Sequence, residues 1–371
     1  MSLLLLFASE SLACGGLITA DMDTKIAASD AQQAYFEIGE ASVKVSYRVR
    51  YHGDADDFAW IIPVPGTVLS VEEGEEAVFD RLASITAPRV EWDSPESDSV
   101  PACGCAGQSD SAYSLKGGEN RDIGSDTGGV EVLGAGFAGG FAYQVLSASG
   151  PGAMSGWLAE NGYDGSVSAD QIAAYESDPL GFVWIAAKLR PEVPTTDEAG
   201  VVIHPLVIEY SAAADGTLHA LFPSRMGQSI QLSEVRNEIF VRAPERVEAA
   251  GGWSTAELTT DEYDIEGQEG DDPDTLYDAL LASQGAQKAV WTVFSDTVTD
   301  DNGESYFLTR LDTLVAPATN TSDLELVSAG DSQQSRTVIY MPQAYDTAYG
   351  LIFAPLAGLV GWRLRRRYPS S

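Results

Sequence analysis

Between Val43 and Tyr51 the chain alternates without a break: Val43, Val45, Tyr47, Val49 and Tyr51 are apolar or aromatic, and Lys44, Ser46, Arg48 and Arg50 stand between them. A period of two admits a strand with one buried face and excludes a helix, whose apolar residues would recur at three and four. A turn-forming stretch, Gly53 to Asp57, leads to a second strand over Phe58 to Val64. Pro63 and Pro65 are expected to stop it, since neither can donate to a ladder. Glu73 to Ser84 reads as a short helix with Val78, Phe79 and Leu82 inward. Further strands are expected over 182–189, 201–210, 218–222, 238–241, 290–294 and 306–311. Met154 to Asn161 reads as a helix that Gly162 would end as a left-handed cap, and Ser168 with Gln171 forms a capping-box signature for a helix through Tyr175. Pro273 suits the first position of another helix, through Leu281.

The two ends carry a second kind of signal. Leu3 to Ala8 is apolar, and Ser11-Leu12-Ala13 is a small-residue exit, so 1–13 reads as a signal peptide cleaved before Cys14. It is short and has no basic n-region, as expected of a leader whose true start lies upstream. At the other end, an uncharged run from Ala348 to Trp362 meets Arg363, Arg365, Arg366 and Arg367, which reads as a stop-transfer anchor with the arginines cytoplasmic. The run spans about 22 Å as helix, against roughly 30 Å of hydrocarbon. Tyr349, Trp362 and the arginines at the headgroups lengthen it. Two other readings are a buried core helix, disfavoured by arginines without compensating carboxylates, and a sorting tail removed after export. The expected organisation is a signal peptide at 1–13, an ectodomain at 14–345 with a low-complexity insert at about 94–129, and an anchor with basic tail at 346–371. The expected fold class is α+β: a strand-dominated, antiparallel ectodomain with a few short helices, plus one C-terminal transmembrane helix.

Charge limits the partners. There are 56 acidic residues against 21 basic, a net charge of -35 that becomes -39 once the four tail arginines are set aside. Such a field repels nucleic acid and anionic lipid surfaces. Only five of the cations are lysine, a halophilic type of composition in which hydrated carboxylates keep the fold soluble. Calcium is the sharper alternative. Asp300, Asp301, Asn302 and Glu304 have the acidic, turn-forming character of a calcium loop, but without the spacing or distal Glu of an EF-hand they read better as a hairpin turn. Asp54, Asp56 and Asp57 form a similar turn.

Motifs that could carry chemistry are few. Gly134-Ala135-Gly136-Phe137-Ala138-Gly139 matches the G-x-G-x-x-G dinucleotide string, yet Gly140 follows where a helix should open, and the reading preferred is a flexible glycine loop without nucleotide. Cys14 and the pair Cys103 and Cys105 fall outside the cytoplasm on this reading, where thiols oxidise. Cys14 is lipidated, leaving Cys103 and Cys105 as a strained pair, or is disulfide-bonded to one of them; the disulfide is preferred, because Ser11 occupies the place where a lipidation site wants Leu. His52, His204 and His219 show no metal-site spacing, and His204, in an apolar strand, reads as a satisfied core residue. No Gly-x-Ser-x-Gly elbow or P-loop is present.

Four stretches in order, Ala13 to Gly16, Phe58 to Pro65, Trp157 to Tyr163 and Tyr306 to Leu311, resemble the landmarks of the bacterial exported domain-of-unknown-function family 2330, with the Cys-Gly-Cys in its expected place. The resemblance covers about residues 14 to 325. It implies a secreted or envelope-anchored protein and brings no catalytic residues. The functional expectation is an extracytoplasmic, membrane-anchored binding or structural module with no cofactor and an envelope protein or glycan as partner. The alternative is an extracytoplasmic enzyme, either a hydrolase with a dispersed site or a thiol redox protein using Cys103 and Cys105.

Overall fold

The computed structural model describes residues 16–19, 32–51, 58–92, 129–161, 167–190, 201–229, 234–258, 273–285, 289–300 and 302–341. The chain opens with β1 (Gly16–Thr19), β2 (Gln32–Ile38), β3 (Val43–Tyr51), β4 (Phe58–Val64), β5 (Val68–Glu73), α1 (Glu76–Thr86) and β6 (Arg89–Trp92). It continues through β7 (Val130–Ala138), β8 (Phe141–Ala148), α2 (Ala153–Glu160), α3 (Ala169–Glu176), β9 (Val183–Leu189), β10 (Val201–Tyr210) and β11 (Ala220–Phe222). The last third holds β12 (Val235–Ala243), β13 (Val247–Ala250), β14 (Ser254–Glu257), α4 (Pro273–Gln284), β15 (Ala289–Thr299), β16 (Ser305–Val315), β17 (Leu324–Ser328), β18 (Ser335–Arg336) and β19 (Val338–Met341).

Two sheets dominate. A five-stranded sheet runs β1-β4-β9-β8-β7, and a nine-stranded sheet runs β14-β15-β16-β12-β2-β3-β10-β5 with β18 on β15. Neighbours are antiparallel except for β12 with β2 and β14 with β15 in the larger sheet, and for the separate β19–β6 pair. The expected strand-dominated, mostly antiparallel architecture is what the chain forms. Among the described residues no helix is long and apolar enough to cross a membrane. Both the signal-peptide segment and the 346–371 segment lie outside the described residues.

Alternation decides the layering. On the inner face of the large sheet Ala34, Phe36, Val43, Val45, Tyr47, Leu206 and Ile239 are buried with Trp60, Ile62, Phe141 and Ile185 of the small sheet. Tyr47 meets Trp60 edge-on at 5.9 Å between centroids, and Trp60 meets Phe141 at 5.8 Å. Each such side chain contributes about 1.5–3 kcal/mol of burial. The opposite face of the small sheet presents Ile61, Leu146 and Trp184 to Met154, Trp157 and Leu158 of α2 and to Ile172 and Tyr175 of α3. The outer face of the large sheet is covered by α1, whose Phe79 and Leu82 pack on Tyr35, Phe240 and Leu308, and by α4, whose Leu276, Tyr277 and Leu280 pack on Trp291 and Leu314. Helices therefore lie on both outsides of a two-sheet sandwich.

Local signals held where they were specific. Ser168 caps α3 with a complete capping box: its hydroxyl accepts from Gln171 N at 3.2 Å, and Gln171 Oε1 accepts from Ser168 N at 3.0 Å. The α1 helix starts later than expected because Glu73 is still in β5, opposite Leu206, and Gly74 N donates to Pro205 O at 2.7 Å. Pro63 does not stop β4 but sits inside it, opposite Trp184; β1 pairs only up to Ile61, so among the described residues that flank of Pro63 asks for no donor.

The glycine string is a strand and hairpin instead of a flexible loop. Gly134 and Gly136 lie within β7, and Gly139 and Gly140 make the two-residue turn to β8. A Cβ on Gly136 would stand 2.8 Å from the Tyr143 hydroxyl, so the glycine lets that ring cross the strand. Gly139 has φ +53°, and a Cβ there would stand 2.7 Å from the Glu73 carboxylate of β5. No helix opens after the third glycine, as a dinucleotide fold requires.

Candidate functional site

The chemistry on the outer face of the large sheet is set by strand register. Arg48 on β3 is opposite Gln33 on β2, Gln33 is opposite Glu238 on β12, and Glu238 is opposite Asp312 on β16. These four form one row across four strands. Arg48 Nη1 donates to Gln33 Oε1 at 3.1 Å, and Gln33 Nε2 donates to Glu238 Oε2 at 2.7 Å. Arg310, two residues along β16, donates to both Asp312 oxygens at 2.9 and 3.0 Å and to Glu238 Oε1 at 3.2 Å. Arg236 contacts Glu238 at 2.6 Å and Asp312 at 3.2 Å, and also pairs with Asp278. The row is tied to the helices at both ends: Arg48 pairs with Glu76 and Asp80 of α1, and Tyr277 of α4 donates to Asp312 at 3.0 Å.

This network is deeply buried. Asp312 is 0% exposed and Arg310 is 4% exposed. Burial pushes the Asp312 carboxyl up, but Arg310 and Arg236 outweigh it and hold the group below the usual carboxylate range. Burial likewise works against the Arg310 charge, and Asp312 and Glu238 reverse the direction. Arg310 further lies over the Phe240 and Tyr277 rings, at 5.5 and 5.6 Å. The arrangement can hold charge and fix two helices to a sheet. Its charged groups face one another.

Two smaller clusters sit elsewhere. Asp323 accepts from the Tyr175 hydroxyl at 2.7 Å and from Arg225 N at 2.9 Å, and the Arg225 guanidinium lies 3.9 Å from the Tyr175 ring centroid. Burial pushes the Asp323 carboxyl up to about 6, against the lowering by Arg225 and Tyr175. Trp253 Nε1 donates to the Asp323 carbonyl at 2.9 Å, so α3, the 3-10 turn Ser224–Ser229 and the β13–β14 connection meet on this residue. His219 bridges Glu325 at Nδ1, 2.9 Å, and Asp215 at Nε2, 3.0 Å. Burial lowers its pKa, but both carboxylates raise it, and the net direction is upward.

One cavity, of about 150 Å³, opens where β13 and β14 approach the bulge of β15 between Thr292 and Phe294. It is polar, lined among others by Arg246, Glu248, Thr255, Thr292, Ser295 and Gln333. Arg246 makes a two-point contact with Asp331, at 2.7 and 2.8 Å, and the buried Ser295 hydroxyl donates to Gln333 O at 2.7 Å. Such a space fits a small polar molecule or a few waters. Neither His219 nor Asp323 lines it.

The residues expected from sequence distribute unevenly. Asp300 Oδ1 accepts from Asn302 N and Glu304 N, each at 3.0 Å, which builds the hairpin turn between β15 and β16. Arg242 faces Asp300 at 3.4 Å and Glu304 at 3.5 Å. Among the described residues no group of three or more His, Cys, Asp or Glu is placed to hold a metal ion. Asp301, Asp54, Asp56, Asp57, His52, Cys14, Cys103, Cys105, Tyr349, Trp362, Arg363, Arg365, Arg366 and Arg367 lie outside the described residues. His204 is not a core residue: its side chain is 62% exposed, on the bulged part of β10, 3.9 Å from Glu73. His219, isolated in sequence, gains its two carboxylates only in the fold. The row on β16 did leave a trace, since Arg310 and Asp312 stand two apart within the otherwise uncharged run Phe307 to Leu314, which puts both charges on one sheet face.

Comparison with curated proteins finds no significant match. Among solved structures, a mutated baculovirus P35 after caspase cleavage is similar over 80% of this chain and 99% of its own, at 9% identity and a TM-score of 0.33. Baculovirus P35 itself is similar over 85% of this chain and 97% of its own, at 9% identity and a TM-score of 0.32. At such scores neither likeness bears on what this chain does. The sequence landmarks have a clearer counterpart in a family model that spans residues 8–327, well over half the chain, and by that match the chain belongs to DUF2330, uncharacterized proteins conserved in bacteria.

Proposed function

We propose that this chain is the extracytoplasmic, membrane-anchored module of a bacterial envelope protein, and that it binds or scaffolds instead of catalysing. The observation that carries the reading is the closure of the buried charges on one another: Arg310, Arg236, Asp312 and Glu238 with α4, and Arg48 with α1, tie two helices to a sheet, and none of them lines the cavity. A catalytic group needs a face open to substrate. The apolar leader, the basic-flanked tail and the net charge of -35 support the location. The module needs no cofactor and no nucleotide. Its contacts are the membrane, through residues 346–371, and an envelope protein or glycan, for which the Arg246 cavity offers a small polar recess.

The test is the intact mass and accessibility of the chain recovered from its host. The reading expects a mature form beginning at Cys14, retaining Arg363 to Arg367, sedimenting with membranes and cleaved by protease added outside intact cells. A chain recovered in the soluble cytosolic fraction and protected until lysis would refute it. The hydrolase alternative survives only if substitution of His219 or Asp323 abolishes a hydrolytic activity without altering the unfolding transition, and the thiol redox alternative only if Cys103→Ser and Cys105→Ser abolish electron transfer with the fold intact.

A further inference from the structure

The cavity beside the β15 bulge owes its lining to that bulge. Thr292 and Ser295 are three apart in sequence, which in a regular strand would send them to opposite faces. With Val293 left out of the ladder, Thr292 stands opposite Leu311 and Ser295 opposite Thr309, so both reach the same recess of about 150 Å³. Its two lining charges answer each other: Arg246 Nη2 stands 3.8 Å from Glu248, and the same guanidinium makes its two-point contact with Asp331. A carboxylate, phosphate or sulfate would meet two acidic groups for one arginine, and an ammonium would meet the arginine. A divalent cation would find a single carboxylate, Glu248, among the lining residues. The charges therefore favour a neutral ligand.

The hydroxyls narrow the choice. Thr255 Oγ1 accepts from Ala249 N at 2.9 Å and keeps its proton for a further acceptor. Ser295, 0% exposed, gives its proton to Gln333 O at 2.7 Å and keeps its lone pairs for a further donor. Thr292 is 4% exposed, and among the described residues its hydroxyl makes no hydrogen bond. A hydroxyl buried in this way is unfavourable until a partner arrives. The wall thus offers a donor, an acceptor and a group that does both, which complements a ligand whose own groups are hydroxyls. As to size, an apolar cavity of about 150 Å³ accepts one six-membered ring. A protein partner would anchor on aromatic or aliphatic side chains, and Ala256 is the single apolar residue of this lining. We infer that the cavity binds one neutral six-membered sugar ring of a glycan through the hydroxyls of Thr255, Thr292 and Ser295, an inference that rests on the reading of the chain as a binding module and names its ligand.

Ligand-observed NMR titration of the full-length chain, kept in a detergent without a sugar headgroup, tests this. The probes are the methyl glycosides of glucose, galactose, mannose and N-acetylglucosamine, with glucuronate as the acidic control. At least one neutral glycoside is expected to bind with a Kd on the order of millimolar, as suits so small a ligand, and glucuronate about tenfold more weakly. Thr292→Val should weaken binding about three- to tenfold without lowering the unfolding transition, because the hydroxyl it deletes has no partner in the free protein. Thr292→Ser keeps the hydroxyl and should bind as the native chain does. Ser335→Leu, at a half-buried position of the lining, should block the recess and abolish binding. Binding of none of the four neutral glycosides, tighter binding of glucuronate, or binding indifferent to Thr292→Val and Ser335→Leu overturns the inference. The titration is made on purified chain and is independent of where the chain resides. An extracytoplasmic chain that binds no glycoside fails this inference alone, and a cytosolic chain that binds one fails the location while the cavity keeps its ligand.

Discussion

The two faces of the nine-stranded sheet are held by different physics. Its inner face is a hydrocarbon interface, where Phe36, Val45, Tyr47 and Ile239 pack against Trp60, Ile62 and Ile185 and every contact depends on volume. Its outer face carries a row of ions, Arg48, Glu238, Arg310 and Asp312, bridged by Gln33 and capped by α1 and α4. An apolar face loses stability roughly in proportion to the atoms removed. An ionic row is stable only while complete, since a buried charge without its partner is far less favourable than no charge at all. The contrast explains how one chain with so large an acidic excess still encloses carboxylates: Glu238 and Asp312 on the outer face are each matched by arginine.

The largest effect should come from breaking the row. Arg310→Met leaves Asp312 and Glu238 short of a cation and is expected to lower stability by about 3–5 kcal/mol in urea unfolding. Part of that loss should be recovered as pH falls, because an unpartnered Asp312 takes up a proton. Ile239→Ala, on the other face, should lower stability by about 2–4 kcal/mol through transfer and cavity terms, with no change in pH dependence. A pH-independent deficit for Arg310→Met would erase the distinction between the faces.

A third test concerns a carboxylate outside the row. Burial pushes Asp323 up to about 6 while its ordinary value is 3.8. The native state therefore binds this proton before the unfolded state does, so its contribution to stability rises as pH falls from about 6 to about 4, by on the order of 2 kcal/mol. Asp323→Asn should lack that rise, and a parallel pair of stability profiles would show that Asp323 is not held this way. His219, raised by Asp215 and Glu325, adds stability at pH below its ordinary 6.5 that disappears as pH climbs through the raised value. His219→Gln should remove only that step. The smallest effect is local: Ser168→Ala deletes the α3 cap and should lower stability by about 1 kcal/mol without touching either face of the large sheet.

What the sequence disclosed follows the range of each interaction. Alternation in Val43 to Tyr51 marked a strand with one buried side, and Ser168 with Gln171 marked a helix start, because both signals are written in neighbouring residues. The turn at Asp300 was legible for the same reason. Gly134 to Gly139 misled as a loop because the reason for those glycines, Tyr143 on the next strand and Glu73 on the other sheet, is not local. His204 misled because the apolar run around it read as buried throughout, whereas β10 bulges between Ile203 and Leu206 and leaves its side chain exposed. The row itself joins residues 33, 48, 238 and 312, and Glu325 reaches the neighbouring pair Asp215 and His219 from 106 residues away; no local pattern pairs positions so far apart.

The most direct test of the central claim, that the outer-face charges tie the fold together as a unit, is equilibrium unfolding of Arg310→Met beside the triple variant Glu238→Leu, Arg310→Met, Asp312→Leu. The account predicts that the triple variant regains at least half of the stability lost by Arg310→Met alone, because it leaves no buried carboxylate without a cation while Arg236 keeps Asp278. A triple variant no more stable than the single one would contradict it.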